Sequence, residues 1–88
     1  MILITGCAGF IGFHLAKKLL INKQKVVGID CINNDYTRSK KYKRLKLIKK
    51  YEHFKFLNVD LNDYNKVSNV INKTKIDVII QLQHKPEV

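Results

Sequence analysis

Gly6, Gly9 and Gly12 stand three residues apart in Gly6-Cys7-Ala8-Gly9-Phe10-Ile11-Gly12, and an acid, Asp30, follows eighteen residues after the last of them. Glycines in this pattern suit the cradling of an anion by main chain. Gly6 lets the chain turn sharply, Gly9 lacks a Cβ and lets a pyrophosphate come close, and Gly12 lets a following helix pack tightly. The free N–H groups at the start of that helix, near Phe10 and Ile11, would face the anion with the helix dipole behind them. The spacing is G-x-x-G-x-x-G, not the G-x-G-x-x-G of the standard dinucleotide fingerprint. Three turn or packing glycines without a ligand would satisfy the same letters, but their place between an apolar run and an amphipathic segment tips the reading toward an anion. A carboxylate at Asp30 could accept both hydroxyls of an adenosine ribose, or could cap a turn. As a ribose ligand it would repel a 2′-phosphate, so NAD is preferred over NADP, with Arg38 or Lys40 near enough in sequence to offset the repulsion.

These residues need elements to place them, and the hydrophobic pattern supplies seven. Ile2–Thr5 is a short apolar run ending at Gly6. Residues 10–22 carry apolar side chains at Ile11, Leu15 and Leu19 and at Ala16 and Leu20, one face of a helix, with Lys17 and Lys18 outward. Residues 25–30 form a second buried-strand candidate that ends at Asp30, and residues 31–37 read as a loop. Residues 39–51 place Tyr42, Leu45, Ile48 and Tyr51 three apart, a helix with a basic outer surface. Phe54–Asn58 is a third strand. Asp63 can cap a helix running to Asn72 on an inner stripe of Val67, Val70 and Ile71. Residues 75–82 hold Ile76, Val78, Ile79 and Ile80, a fourth strand, and Pro86 ends regular structure. Strands buried on both faces and alternating with helices imply an α/β protein with a parallel sheet. Right-handed crossovers with the order 3-2-1-4 put the first two helices on one face and the third on the other. The order reverses between strands 1 and 4, and ligands of such sheets bind at the carboxyl ends of the strands at the reversal.

Composition bounds the rest. Eighty-eight residues, 45% of them hydrophobic, allow one small domain, residues 1–88, with a real core. The apolar runs are only a few residues long, so no membrane span is expected, and no signal peptide is read at the start. A cytoplasmic chain is the expectation, and two cysteines there do not make a disulfide framework. Seventeen Lys and Arg against seven Asp and Glu give a net charge of +10. Lysine dominates, and Lys, Asn and Ile are all abundant and have A/T-rich codons, so base composition rivals selection for an anionic partner as the cause. The charge is concentrated: Arg38, Lys40, Lys41, Lys43, Arg44, Lys46, Lys49 and Lys50 lie between residues 38 and 51 without an intervening acid. That segment raises an alternative, a basic α/β module for a polyanion or a partner chain, although no nucleic-acid motif supports it and nucleic acid is not the favoured partner.

Residues 4–12, Ile-Thr-Gly-Cys-Ala-Gly-Phe-Ile-Gly, resemble the T-G-x-x-G-F-I-G opening of extended short-chain dehydrogenases/reductases. The segment Val27-Gly28-Ile29-Asp30-Cys31-Ile32-Asn33-Asn34-Asp35-Tyr36 is similar to the second-strand segment of that family's nucleotide-sugar epimerases, UDP-glucuronate 4-epimerases above all. Residues 56–61 and 76–82 resemble their third-strand ending and fourth strand. The resemblance covers residues 1–82 and implies a Rossmann-like, three-layer α/β/α fold that is incomplete, with the sugar-binding domain absent. It implies NAD as cofactor, with Gly6, Gly9, Phe10, Ile11 and Gly12 at the pyrophosphate, Asp30 and Asn33 at the adenosine ribose, and Asp60 and Leu61 at the adenine. A strand-end acid such as Asp60 is by itself a plausible partner for an exocyclic amine, or a turn residue. The implied function is the NAD-binding portion of a UDP-sugar epimerase or dehydratase, taking a nucleotide sugar only when completed, by a second chain if need be.

The departures from the family are specific. Gln83 and His84 replace small residues after the fourth strand, and Phe13 replaces a small polar one. The family's catalytic Ser/Thr and Tyr-x-x-x-Lys lie beyond residue 88, so no catalytic residue is assigned. Tyr36 and Lys40 fit Y-x-x-x-K literally but fall after the second strand, on the adenosine side. Cys7 and Cys31 follow neighbouring strands and are read as two reduced thiols. His14, His53 and His84 are scattered and lack metal-ligand spacing. The fourth strand is expected to be an open edge, and the face under the third helix only partly covered, which invites pairing with a partner or aggregation.

Overall fold

A computed structural model describes residues 1–32 and 38–82. The chain runs β1 (Ile2–Thr5), α1 (Phe10–Ile21), β2 (Val26–Asp30), α2 (Arg38–Ile48), β3 (Phe54–Asn58), α3 (Tyr64–Lys73) and β4 (Val78–Gln81). The four strands make one parallel sheet in the order β3-β2-β1-β4, the expected Rossmann-like arrangement. No helix among the described residues is long and apolar enough to cross a membrane.

Alternation along each strand divides the core in two. Ile4 and Val26 point to the face covered by α1 and α2, where they meet Ala8, Phe13, Ala16, Leu20, Leu45 and Ile48. Leu3, Val27 and Ile29 point to the other face, where Leu57, Val59, Leu61, Val70 and Ile76 pack against them. The register aligns Leu3 with Val27 and Ile79, so one layer of side chains crosses the sheet from β2 to β4.

Several expectations need adjustment. In α1 the buried side is Gly12, Phe13, Ala16 and Leu20, while Ile11 is 68% exposed. Gly12 decides this: a Cβ there would lie 2.1 Å from the carbonyl oxygen of Gly6, so its bare side must face the loop, and Phe13 and Ala16 turn inward with it. In α2, Leu45 and Ile48 are buried as the spacing predicts, but Tyr42 is exposed and the helix stops at Ile48, not Tyr51. Tyr51 leaves the helix to pack on the core, and the chain reverses through Tyr51 N–H to Ile48 O and Phe54 N–H to Tyr51 O, which aims it into β3. Asp63 caps α3 as expected, accepting from the Lys66 N–H, but α3 has no buried residue. Strand β4 begins at Val78, after Asp77 N–H has bonded Met1 O, and Ile76 packs on the core outside the ladder. Among the described residues the fourth strand is an edge of the sheet, with Val78 49% and Ile79 53% exposed.

Candidate functional site

The glycine loop joins β1 to α1 at the carboxyl end of the sheet. Gly6 has φ 77°, a left-handed conformation that a side chain would strain. Its N–H donates to Ile29 O at 2.7 Å, which ties the turn to the end of β2, and the Gly9 N–H donates back to Gly6 O at 3.1 Å. Gly9 is the N-cap of α1 and offers no side-chain acceptor. The helix ladder begins with Phe13 N–H to Gly9 O, so the N–H groups of Phe10, Ile11 and Gly12 precede the first rung. They are the donors a helix leaves over at its start, and they carry the positive end of its dipole. The Phe10 and Ile11 side chains are about two-thirds exposed, standing away from the sheet around this start.

Asp30 closes the loop from the other side. Its Oδ2 accepts the Ala8 N–H at 2.9 Å, and its Oδ1 accepts the Cys31 N–H at 2.8 Å and the Lys41 ammonium at 3.2 Å. A buried carboxylate is tolerable only with such partners. The same carboxylate therefore shapes the glycine loop and marks the tip of β2. Arg44, one helical turn beyond Lys41, donates to Ala8 O at 3.0 Å and lies 6.0 Å from the Phe10 ring centre. The basic stretch thus has an inner side: Lys41 and Arg44 fasten α2 to the loop, so the polyanion reading is not favoured. The cation on Asp30 is Lys41, where the sequence suggests Arg38 or Lys40.

Asn58 is a residue that sequence reasoning leaves without a role. Its side chain accepts from Ile32 N–H at 3.0 Å and donates to Ile32 O at 3.4 Å, adding a rung beyond the last residue of β2. A polar residue ending an apolar run was the available signal. Next to it, Val59 N–H donates to Asp30 O, which brings the segment 59–61 to the tip of β2. Asp60 is exposed and its Oδ1 accepts the Asn62 N–H at 2.9 Å, an Asx turn that starts the approach to α3. Leu61 packs against the Leu3, Val27 and Ile29 cluster. Asn33, and with it Tyr36, Gln83 and His84, lies outside the described residues.

Cys7 is fully buried and free. It stacks over Gly28, where a Cβ would come within 2.6 Å of the sulfur. Burial first, and the nearby Asp30 carboxylate second, push its thiol up to about 12. Cys31 is free and half-buried.

The sequence matches the model of the GDP-mannose 4,6 dehydratase family over residues 3–85. The chain belongs to that family. Protein CapI of Staphylococcus aureus is 48% identical over 81 residues, which is 92% of this chain and 24% of the relative. A UDP-glucuronate 4-epimerase of Thermodesulfobacterium geofontis is 36% identical over 80 residues, 91% of this chain and 25% of the relative. Among solved structures, the UDP-glucuronic acid 4-epimerase of Bacillus cereus in complex with UDP-glucuronic acid and NAD superposes with a TM-score of 0.84 at 34% identity, over 99% of this chain and 27% of that one. The chain therefore spans about a quarter of the length of these dehydratase-family relatives.

Within this family, Phe13 was a departure from the usual small polar residue beside the loop. The fold removes the difficulty, because Phe13 is 6% exposed and points into the core, away from the helix start. Two tyrosine–lysine pairs besides Tyr36 and Lys40 also have the family's catalytic spacing, Tyr42 with Lys46 and Tyr51 with Lys55. The first lies on α2, where Arg38 stacks 5.4 Å from the Tyr42 ring, and the second spans the turn into β3. Both belong to the β2–β3 side of the sheet, away from the reversal between β1 and β4.

Proposed function

We propose that residues 1–88 form the NAD-binding portion of a nucleotide-sugar epimerase or dehydratase acting on UDP-sugars. By themselves they hold the dinucleotide without completing a reaction. The observation that carries this reading is the joint between Asp30 and Ala8, which sets a buried carboxylate and the open start of α1 around one glycine turn. In this reading Gly6, Gly9 and Gly12 and the N–H groups of Phe10 and Ile11 receive the pyrophosphate. Asp30 receives the adenosine ribose together with Asn33, and Asp60 and Leu61 border the adenine. The geometry suits the assignments at Gly6, Gly12, Asp30 and Asp60 in different ways. Gly6 has a left-handed φ that a side chain would strain, and Gly12 has no room for a Cβ. Asp30 uses three of its acceptor sites on the protein and keeps capacity for a hydroxyl. Asp60 keeps its second carboxylate oxygen for an amine while the first holds its own turn.

When bound, the nicotinamide would supply a hydride acceptor and donor. The chain's own part is to bind and orient the adenosine end and to balance the pyrophosphate charge with N–H groups. The sugar-binding part and the acid/base residues would have to be supplied from outside residues 1–88. Where they are, the free edge of β4 and the thinly covered face beside α3 are the surfaces such a part would meet. We keep the cytoplasm as the compartment, in keeping with two free thiols.

Titration of the folded chain with NAD, followed by melting temperature and by the amide spectrum, tests this. Expected are a rise in melting temperature with NAD concentration and shifts clustered at residues 6–12 and 30. An amide spectrum unmoved at saturating NAD would sink the reading. Asp30→Asn should weaken NAD at least about tenfold and cost roughly 1–3 kcal/mol of stability, because the Lys41 ammonium loses its counter-charge. UDP-sugar epimerisation by the 88-residue chain alone would refute its catalytic incompleteness.

A further inference from the structure

Ala8 is held by both of its main-chain polar atoms. Its N–H donates to Asp30 Oδ2 at 2.9 Å, and its carbonyl oxygen accepts from Arg44 Nη1 at 3.0 Å. The next N–H, that of Gly9, donates to Gly6 O at 3.1 Å. A trans peptide points its N–H and its C=O in opposite directions. The two bonds of the peptide between Ala8 and Gly9 therefore agree on one orientation, with the oxygen toward α2 and the N–H toward the turn. The same guanidinium lies 6.0 Å from the ring centre of Phe10, the first residue of α1. Helix α2 is anchored by buried Leu45 and Ile48, so it has a seat of its own without the half-buried Arg44.

An anion seat made of N–H groups works only when the neighbouring carbonyl oxygens are turned away, because each carries partial negative charge. Ala8 O belongs to the residue just before Gly9, the N-cap of α1. Released from Arg44, its peptide could rotate, breaking the bond from Gly9 to Gly6 and swinging an oxygen toward the helix start. We infer that Arg44 is a positioning residue for the dinucleotide: it holds the Ala8 carbonyl away from the pyrophosphate seat, so that the seat is formed before the ligand arrives. Donors fixed in advance need no rearrangement on binding. A planar guanidinium can donate to a carbonyl and lie against a ring together, whereas a lysine would keep a donor and the charge and lose the ring contact. This rests on the proposal that the glycine loop seats a dinucleotide.

The test is calorimetric titration of NAD into the parent chain, Arg44→Met, Arg44→Lys and Lys46→Met, with the Ala8 carbonyl carbon-13 resonance recorded for each free protein. Arg44→Met keeps an apolar stem and loses the donor, so the resonance should shift in the free chain and NAD should weaken about tenfold. Arg44→Lys should return the resonance most of the way and the affinity to within about threefold of the parent. Lys46→Met removes an exposed charge from the same helix and should change the affinity by no more than about twofold. The carbonyl resonance is the discriminating readout. A residue that only adds stability would lower the melting temperature and leave the Ala8 carbonyl of the folded chain where it was. An Arg44→Met chain that folds and binds NAD as the parent does overturns the inference and leaves the NAD-binding proposal standing. So does an equal loss of affinity in Lys46→Met, which makes the effect one of charge alone, and so does an Arg44→Met chain that fails to fold, which makes Arg44 a residue of the fold. If the parent chain does not bind NAD, the NAD-binding proposal falls and takes this inference with it.

Discussion

The two flanks of the sheet are finished to different degrees. Around β1 and β2, with α1 and α2 laid over one face, Ile4, Val26, Ile29 and Ile48 are 0% exposed and the glycine loop is tied down on two sides. Around β4 and α3, nothing in either element is buried, and Val78, Ile79 and Ile71 are open to solvent. Both flanks are built from the same kind of apolar, β-branched residues, so composition does not separate them. Neighbours do: β2 lies between two strands, whereas β4 has one strand partner among the described residues. The glycine loop and Asp30 belong to the first flank, whereas the second presents exposed apolar residues.

Three substitutions and a pH measurement would break or sharpen this contrast. The largest effect is expected from Gly12→Val on the closed flank. A side chain 2.1 Å from the Gly6 carbonyl forces α1 off the loop, and in so small a domain the loss of about 3 kcal/mol or more should leave the chain unfolded by circular dichroism. Next comes a matched pair on one face of the sheet. Ile29→Lys places a charge at a position that is 0% exposed and should also unfold the chain, whereas Ile79→Lys, at 53% exposed, should cost under about 1 kcal/mol in a denaturant melt. Equal costs for the two would end the distinction between the flanks.

The smallest effect concerns Cys7. Its thiol is held protonated in the folded chain up to about pH 12, against an ordinary value of 9.0. Below pH 9 the group contributes equally in both states. Above it the unfolded chain loses the proton first, so folded stability falls by about 1.4 kcal/mol per pH unit until the folded thiol also ionises. Urea melts between pH 8.5 and 10 should show this added slope in the parent chain and its absence in Cys7→Ala. A thiol reagent at neutral pH should modify Cys31 well before Cys7.

Much of the site was legible as letters because its demands are local. A turn with positive φ needs Gly6, a helix lying against that turn needs Gly12, and an acid at a strand end announces itself at Asp30. What stayed hidden depended on which residues meet across the fold. Nothing in the spacing of residues 38–50 says that Lys41, and not Lys40, would reach Asp30; the rotation of α2, set by burial of Leu45 and Ile48, decides it. The role of Asn58 was equally hidden, because its partner Ile32 lies 26 residues away. In α1 the periodicity put Ile11 inward, and the helix turned otherwise because a steric requirement at Gly12 outranks one isoleucine's burial.

By itself, then, the order of residues determined the element sequence, the parallel sheet, the position of the glycine turn and the acid beside it. These follow from hydrophobic period and from backbone conformations that few residue types allow, both of which are properties of short stretches. Only the tertiary structure decided that the acid is neutralised, which cation does it, that Phe13 belongs to the core, and that one flank is sealed while the other is open. Charge pairing and burial are set by groups distant along the chain, and their geometry exists only once the sheet has brought its strands side by side.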